Sequence, residues 1–74
     1  MRSVYLIEKV DDPAADSYWV QADSGDEARQ MIAKNIPEAA EAEDEEKYTC
    51  RMSSTQTPPY GLIYRRLGGP VPIA

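Results

Sequence analysis

Cys50 is the sole cysteine of this chain, and there is no histidine. Together these facts remove the two staples that small domains ordinarily use, an internal disulfide and a Cys/His zinc site. The fold must therefore hold on its hydrophobic core alone, within 74 residues. That length allows one domain, and it buries only about 60% of the surface exposed by the unfolded chain. The hydrophobic share of 42% and charged share of 28% are ordinary for a globular domain and unlike a disordered segment.

The apolar pattern divides the chain into elements. Ser3 to Val10 holds the run Val4-Tyr5-Leu6-Ile7, β-branched and aromatic with apolar residues on both faces, as a central strand requires. Asp11-Asp12-Pro13 and Asp16 supply turn chemistry. Ser17 to Ala22 then alternates with Tyr18, Val20 and Ala22 on one face, which predicts an antiparallel hairpin with the first strand.

Ser24 followed three residues later by Glu27 is a capping box that starts a helix. Ala28, Met31, Ile32 and Ile36 form its apolar stripe, and Pro37 stops it. From Pro37 to Glu46, Ala and Glu favour helix, but no apolar anchor exceeds Ala, so a short second helix and an exposed loop are both open. Tyr48 to Ser53 alternates as a half-buried strand, with Tyr48, Cys50 and Met52 facing inward. Leu62 to Leu67 is a fourth strand. Residues 68–74, with Pro70 and Pro72, read as an extended tail that cannot donate regularly to a ladder. The expected architecture is a two-layer α+β domain over residues 1–67, ordered β-β-α-β-β, with one helix packed on an antiparallel sheet.

Catalysis is poorly provided for. No histidine offers a general base near neutral pH. Cys50 has no activating partner in its sequence neighbourhood and reads as a small core residue. The carboxylates of Glu43-Asp44-Glu45-Glu46 lack the glycine turn and spacing of a calcium loop and read as solvated charge. At Ser24-Gly25 the helix start already carries its own acids, which disfavours an anion there. The chain thus reads as non-enzymatic, without cofactor or metal. Trp19 and Tyr60 are the aromatic residues expected to be exposed.

No apolar stretch approaches the roughly 18 residues of a membrane span, and the run ending at Ile7 is too short for a signal peptide. A lone thiol suits a reducing compartment. These readings point to a cytoplasmic protein that does not engage membranes.

Charge is the remaining signal. The formal net charge is −5, but Asp11 to Glu46 contains twelve acids against Arg29 and Lys34, while the rest of the chain has six bases against Glu8 alone. Direct nucleic-acid binding needs clustered Lys and Arg, which this chain lacks. An acidic surface suits a basic partner, such as a protein whose groove normally takes phosphate. Glu38, Glu41, Glu43, Asp44, Glu45 and Glu46 place six carboxylates in nine residues. In helical form that is about one charge per 2.3 Å, near the ~1.7 Å of duplex DNA. A merely solubilising face is the alternative.

The stretch Met1 to Val10, a strand ending in Lys9-Val10, and the strand-to-helix junction Trp19 to Lys34, with Ala22-Asp23-Ser24 leading to Ala28, resemble the N-terminal half of small phage-encoded anti-CRISPR proteins that inhibit type I surveillance complexes. The likeness covers about half of the chain. Family members with this pattern are basic whereas this chain is acidic, so no individual binding residue is transferred. The resemblance implies a class of non-enzymatic inhibitors that bind a Cas effector subunit. Combined with the charge, it implies that Glu38, Glu41, Glu43, Asp44, Glu45 and Glu46, aided by Asp11, Asp12 and Asp16, meet the lysines and arginines of a DNA-binding groove as phosphate stand-ins. A small regulatory or assembly module that binds a protein partner through a sheet edge or a Tyr/Trp surface is the second expectation.

Overall fold

A computed structural model describes residues 2–73; Met1 and Ala74 lie outside it. Five strands and one α-helix follow one another as β1 (Ser3–Lys9), β2 (Ser17–Ala22), α1 (Gly25–Asn35), β3 (Tyr48–Met52), β4 (Leu62–Arg65) and β5 (Gly69–Pro72). The sheet has the order β3-β1-β2-β4-β5, with every neighbouring pair antiparallel. The α+β architecture expected from the pattern is present, with one helix packed against one face of an antiparallel sheet.

The β1–β2 hairpin closes through Asp11, whose positive φ of 60° is a conformation that Asp tolerates better than most residues. In β2 the alternation is as read: Tyr18, Val20 and Ala22 are buried with the helix, while Trp19 and Gln21 lie on the opposite face. The helix is capped by Ser24, whose Oγ accepts from the Glu27 N–H at 3.1 Å. It buries Ala28 and Ile32 and ends at Ile36, whose N–H still bonds to the Ile32 carbonyl. Ile7, Val20, Ile32, Ile36 and Ile63 are completely enclosed between the two layers, each contributing on the order of 1.5–3 kcal/mol of burial.

The tail is a correction. Residues 69–72 form a fifth strand, so the ordered sheet extends past residue 67. Two prolines are compatible with it because of register. Ile63 pairs with Val71 and Arg65 with Gly69, and the Ile73 N–H donates to the Gly61 carbonyl at 2.9 Å. The odd-numbered residues therefore face β4, and the missing N–H groups of Pro70 and Pro72 fall on the open edge. Gly69 opens the strand at φ 75°.

Residues 37–46 form no second α-helix. A single 3-10 turn covers Pro37–Ala39, and tight turns follow, closed by Ala42 N–H to Ala39, Asp44 N–H to Glu41, and Lys47 N–H to Asp44. Ala39 and Ala42 are fully buried, so these two small residues anchor the segment to the core. In β3 the inward alternation holds for Tyr48 and fades along the strand. The helix begins level with Cys50, and Met52 beyond it is 69% exposed.

Helix α1 covers one face of the sheet, and the β3–β4 connection crosses the other. Pro58 is fully buried there and accepts a bond from the Gln21 side-chain amide. Trp19 is half-buried beside this loop, while Tyr60 is 49% exposed and carries the Arg2 guanidinium 3.6 Å above its ring.

Candidate functional site: an acidic end with a polar hollow

All nine acidic residues singled out in the sequence gather at one end of the molecule. The β1–β2 turn and the segment 37–47 meet there, because β1 pairs with β3 from Lys9–Tyr48 onward. The Val10 N–H then extends the ladder to the Lys47 carbonyl at 2.8 Å. Asp11, Asp12 and Asp16 are thus brought beside Glu38, Glu41, Glu43, Asp44, Glu45 and Glu46, which are distant in sequence. The three acids at the start of α1, Asp23, Asp26 and Glu27, stand at the opposite end.

The nine are not equivalent. Asp12, Asp16 and Asp44 serve the backbone. Asp12 Oδ1 accepts from the Ala14 N–H, Asp44 Oδ1 from the Glu46 N–H, and Asp16 Oδ1 from the N–H groups of both Ser17 and Leu67, each of these two at 2.9 Å. Glu41 pairs with Lys47 at 2.7 Å on the surface, and this bond raises the lysine pKa. Asp11, Glu38, Glu43, Glu45 and Glu46 are exposed and make no side-chain bond among the described residues. The linear, DNA-like spacing of a helix is lost in the turns, and the carboxylates form a cap on a blunt end.

A hollow of about 270 Å³ opens within this end, between Tyr18, Tyr48, Asp16, Glu38, Lys9 and Arg65. Tyr18 is only 4% exposed and lines the hollow, as does Arg65, whose Nε is buried without a partner among the described residues. Burial raises the Tyr18 pKa, and the neighbouring Asp16 and Glu38 carboxylates raise it further. Tyr48 is similar: burial first, then Glu41 and Asp12, push its phenol up, and its hydroxyl donates to the Glu38 carbonyl at 3.3 Å. Arg65 pulls the Tyr18 phenol the other way.

One side chain in this region carried no recognisable signal in the sequence. Arg29 reads as part of the solvated face of α1, but its Nη1 donates to the carbonyls of Ala42 and Tyr48. Tyr18 was legible as inward-facing, but its position at the open end of the core depends on how far the helix reaches.

Cys50 is half-buried with Sγ 3.8 Å from the Gly25 carbonyl. Burial pushes its thiol pKa up, against the opposing pull of Arg29, which is the reverse of an activated nucleophile. Among the described residues no group of three or more His, Cys, Asp or Glu side chains is arranged to hold a metal ion. Nor is any helix among them long and apolar enough to cross a membrane.

No family model, no curated protein sequence and no solved structure gives a significant match to this chain.

Proposed function

We propose that this protein is a non-enzymatic inhibitor of the anti-CRISPR type, acting in the bacterial host cell. Its acidic end occupies the basic nucleic-acid-binding groove of a CRISPR effector subunit in place of DNA. The observation that supports this reading is the joining of the β1–β2 turn to segment 37–47 through the Val10–Lys47 backbone bond, which concentrates nine carboxylates on one end. Five of them have no internal partner among the described residues and remain available to lysines and arginines.

The test is capture of a type I effector by the tagged protein from cells that express one, with target DNA as competitor. Binding should be lost to competing DNA and to the Glu41→Gln/Glu43→Gln/Glu45→Gln variant. It should also weaken by about tenfold or more between low and high salt, as screening of exposed charge requires. Affinity that survives salt, DNA and the triple substitution would sink the decoy reading.

A second reading is favoured by the sheet face opposite α1. Register aligns Arg51, Leu6, Trp19, Tyr64 and Pro70 in one row across the five strands, and the β3–β4 loop leaves part of it open. An assembly module would bind its partner through this row. In that case the triple Gln variant would bind normally and Tyr64→Ala would not.

A further inference from the structure

We propose that a hollow where β4 turns into β5 is a receptor for one glutamate side chain of a protein partner. Trp19 Nε1 and the Arg65 guanidinium hold its carboxylate, and its stem lies along Tyr64 and Pro70. The inference deepens the second reading, since Trp19, Tyr64 and Pro70 belong to the row on the face opposite α1, and it rests on that reading for the partner being a protein. It is independent of the acidic end.

Three observations carry it. First, among the described residues two buried side-chain nitrogens have no hydrogen-bond partner, Trp19 Nε1 and Arg65 Nε, and both side chains line this hollow. Both atoms can only donate, so what they lack is an acceptor. Leaving them unpaired is costly, and a ligand that supplies the acceptor removes the penalty. Second, the charge around the hollow is of one sign: Arg65 and Arg66 line it, with no aspartate or glutamate among the lining residues. Neither arginine forms an ion pair among the described residues. Third, the hollow measures about 220 Å³, below the roughly 300–1,000 Å³ of a small-molecule pocket. It suits one side chain, and Trp19, Tyr64 and Pro70 offer apolar surface to its methylene groups.

Arg65 is set for this contact. Gly68 leaves the space that its guanidinium occupies: a Cβ there would lie 2.8 Å from Cζ and Nη2 and 2.9 Å from Nε. These near-equal distances put Gly68 against the flat face of the group and not its edge. The fork is held in place before a ligand arrives, and its Nε–Nη2 edge is one that pairs bidentately with a carboxylate. Arg66 Nη2 donates to the carbonyls of Pro13 and Ala15, neutral acceptors that leave its charge uncompensated. Asp16 is close in the fold, but its Oδ1 is committed to the N–H groups of Ser17 and Leu67 and it does not line the hollow. Both unpaired nitrogens are enclosed, so a lining group must move to admit the carboxylate. Gln56, exposed in the β3–β4 loop and without a side-chain hydrogen bond among the described residues, is that group.

The test is a ¹H–¹⁵N NMR titration of the intact protein with the blocked tripeptide acetyl-Gly-Glu-Gly-amide, alongside its Gln and Lys counterparts and inorganic phosphate. Trp19 is the single tryptophan, so its indole N–H is a unique resonance that reports an arriving acceptor. The glutamate peptide should move it downfield and saturably, with shifts also at residues 64–66. The glutamine peptide should bind roughly tenfold more weakly, as for a lost bond to a charged group, and the lysine peptide not at all. Phosphate, which has no apolar stem, should bind more weakly than the glutamate peptide. Arg65→Lys keeps the charge but not the fork and should cost roughly tenfold in affinity. Should it fail to fold, Arg66→Gln at an exposed position should weaken the glutamate peptide several-fold. Lys34→Gln, the same loss of charge on the exposed surface of α1, should leave the affinity unchanged.

An indole resonance that does not move or never saturates, equal binding of the glutamine peptide, the lysine peptide or phosphate, or full affinity in both Arg65→Lys and Arg66→Gln would overturn the receptor. A protein partner lost to Tyr64→Ala but kept by Arg65→Lys and Arg66→Gln would leave the second reading standing and remove the receptor. Saturable, glutamate-specific shifts with no partner bound through the row would do the opposite.

Discussion

Arg29, in the middle of α1, donates from Nη1 to the Tyr48 carbonyl at 2.9 Å, and the same nitrogen reaches the Ala42 carbonyl at 3.1 Å. One guanidinium thus ties the acidic segment to the helix at two points and fixes where that segment enters β3. Arg29→Met keeps the aliphatic stem and removes both bonds. It should cost about 1–3 kcal/mol, the range for charged hydrogen bonds, measured as a lower denaturant midpoint. Amide exchange in residues 42–48 should speed up more than in β1 or β2.

Ala42 sets a limit on size at the same place. It is fully buried beneath the acidic turns, so Ala42→Leu must displace them or strain the core, at about 1–3 kcal/mol. Ile32→Ala empties the centre of the core and should cost about 2–5 kcal/mol. Thermal melts of the two variants check both numbers.

Alkaline pH should unfold the protein earlier than its composition suggests. Tyr18 and Tyr48 have phenols raised above 10.0, and Cys50 a thiol raised above 9.0, in each case chiefly by burial. The folded state therefore holds these protons more tightly than the unfolded state does. Their contribution is fully present below the unfolded pKa values and is lost as pH rises past 9 for the thiol and past 10 for the phenols. Stability measured from pH 8 to 11 should fall across that window, and less so in Tyr18→Phe. Alkylation of Cys50 at pH 8 should be slower than that of an unfolded peptide thiol.

Removing residues 68–74 tests whether β5 is part of the domain. Val71 and Ile73 pack on the core cluster, and β5 covers the flank of β4, where Ile63 is fully enclosed. Truncation after Leu67 should cost at least about 2 kcal/mol, from partial loss of two aliphatic contacts. A dispensable tail would leave the midpoint unchanged.

The acidic surface should contribute little to the fold itself. Glu41 and Lys47 form an exposed pair, and exposed pairs add little stability. Glu41→Gln/Glu43→Gln/Glu45→Gln should therefore shift the thermal midpoint by no more than about 2 °C. Any loss of partner binding then reports on charge and not on unfolding.

The local elements were legible because they depend on near neighbours. Alternation at Tyr18, Val20 and Ala22, the cap at Ser24 and Glu27, and the stop at Pro37 each involve residues within a few positions of one another. The fifth strand was hidden because Pro70 and Pro72 argue against a ladder unless their register is known, and register is set by pairing with β4. The fate of residues 37–46 was hidden too, since propensity for helix was overridden by the burial of Ala39 and Ala42.

For the candidate site the division is similar. Composition and charge order determined which residues could be offered to a basic partner, and the lone Cys50 and missing histidines determined that the fold would rest on its core. Tertiary structure decided that Asp11, Asp12 and Asp16 share one end with Glu38 to Glu46, and that Arg29 fastens the segment there. It also decided that Tyr18, Glu38 and Arg65, far apart in the chain, line one hollow. Charge is a property of each residue and is read one position at a time. A surface or a pocket belongs to groups far apart in the chain, and only packing sets the distances between them.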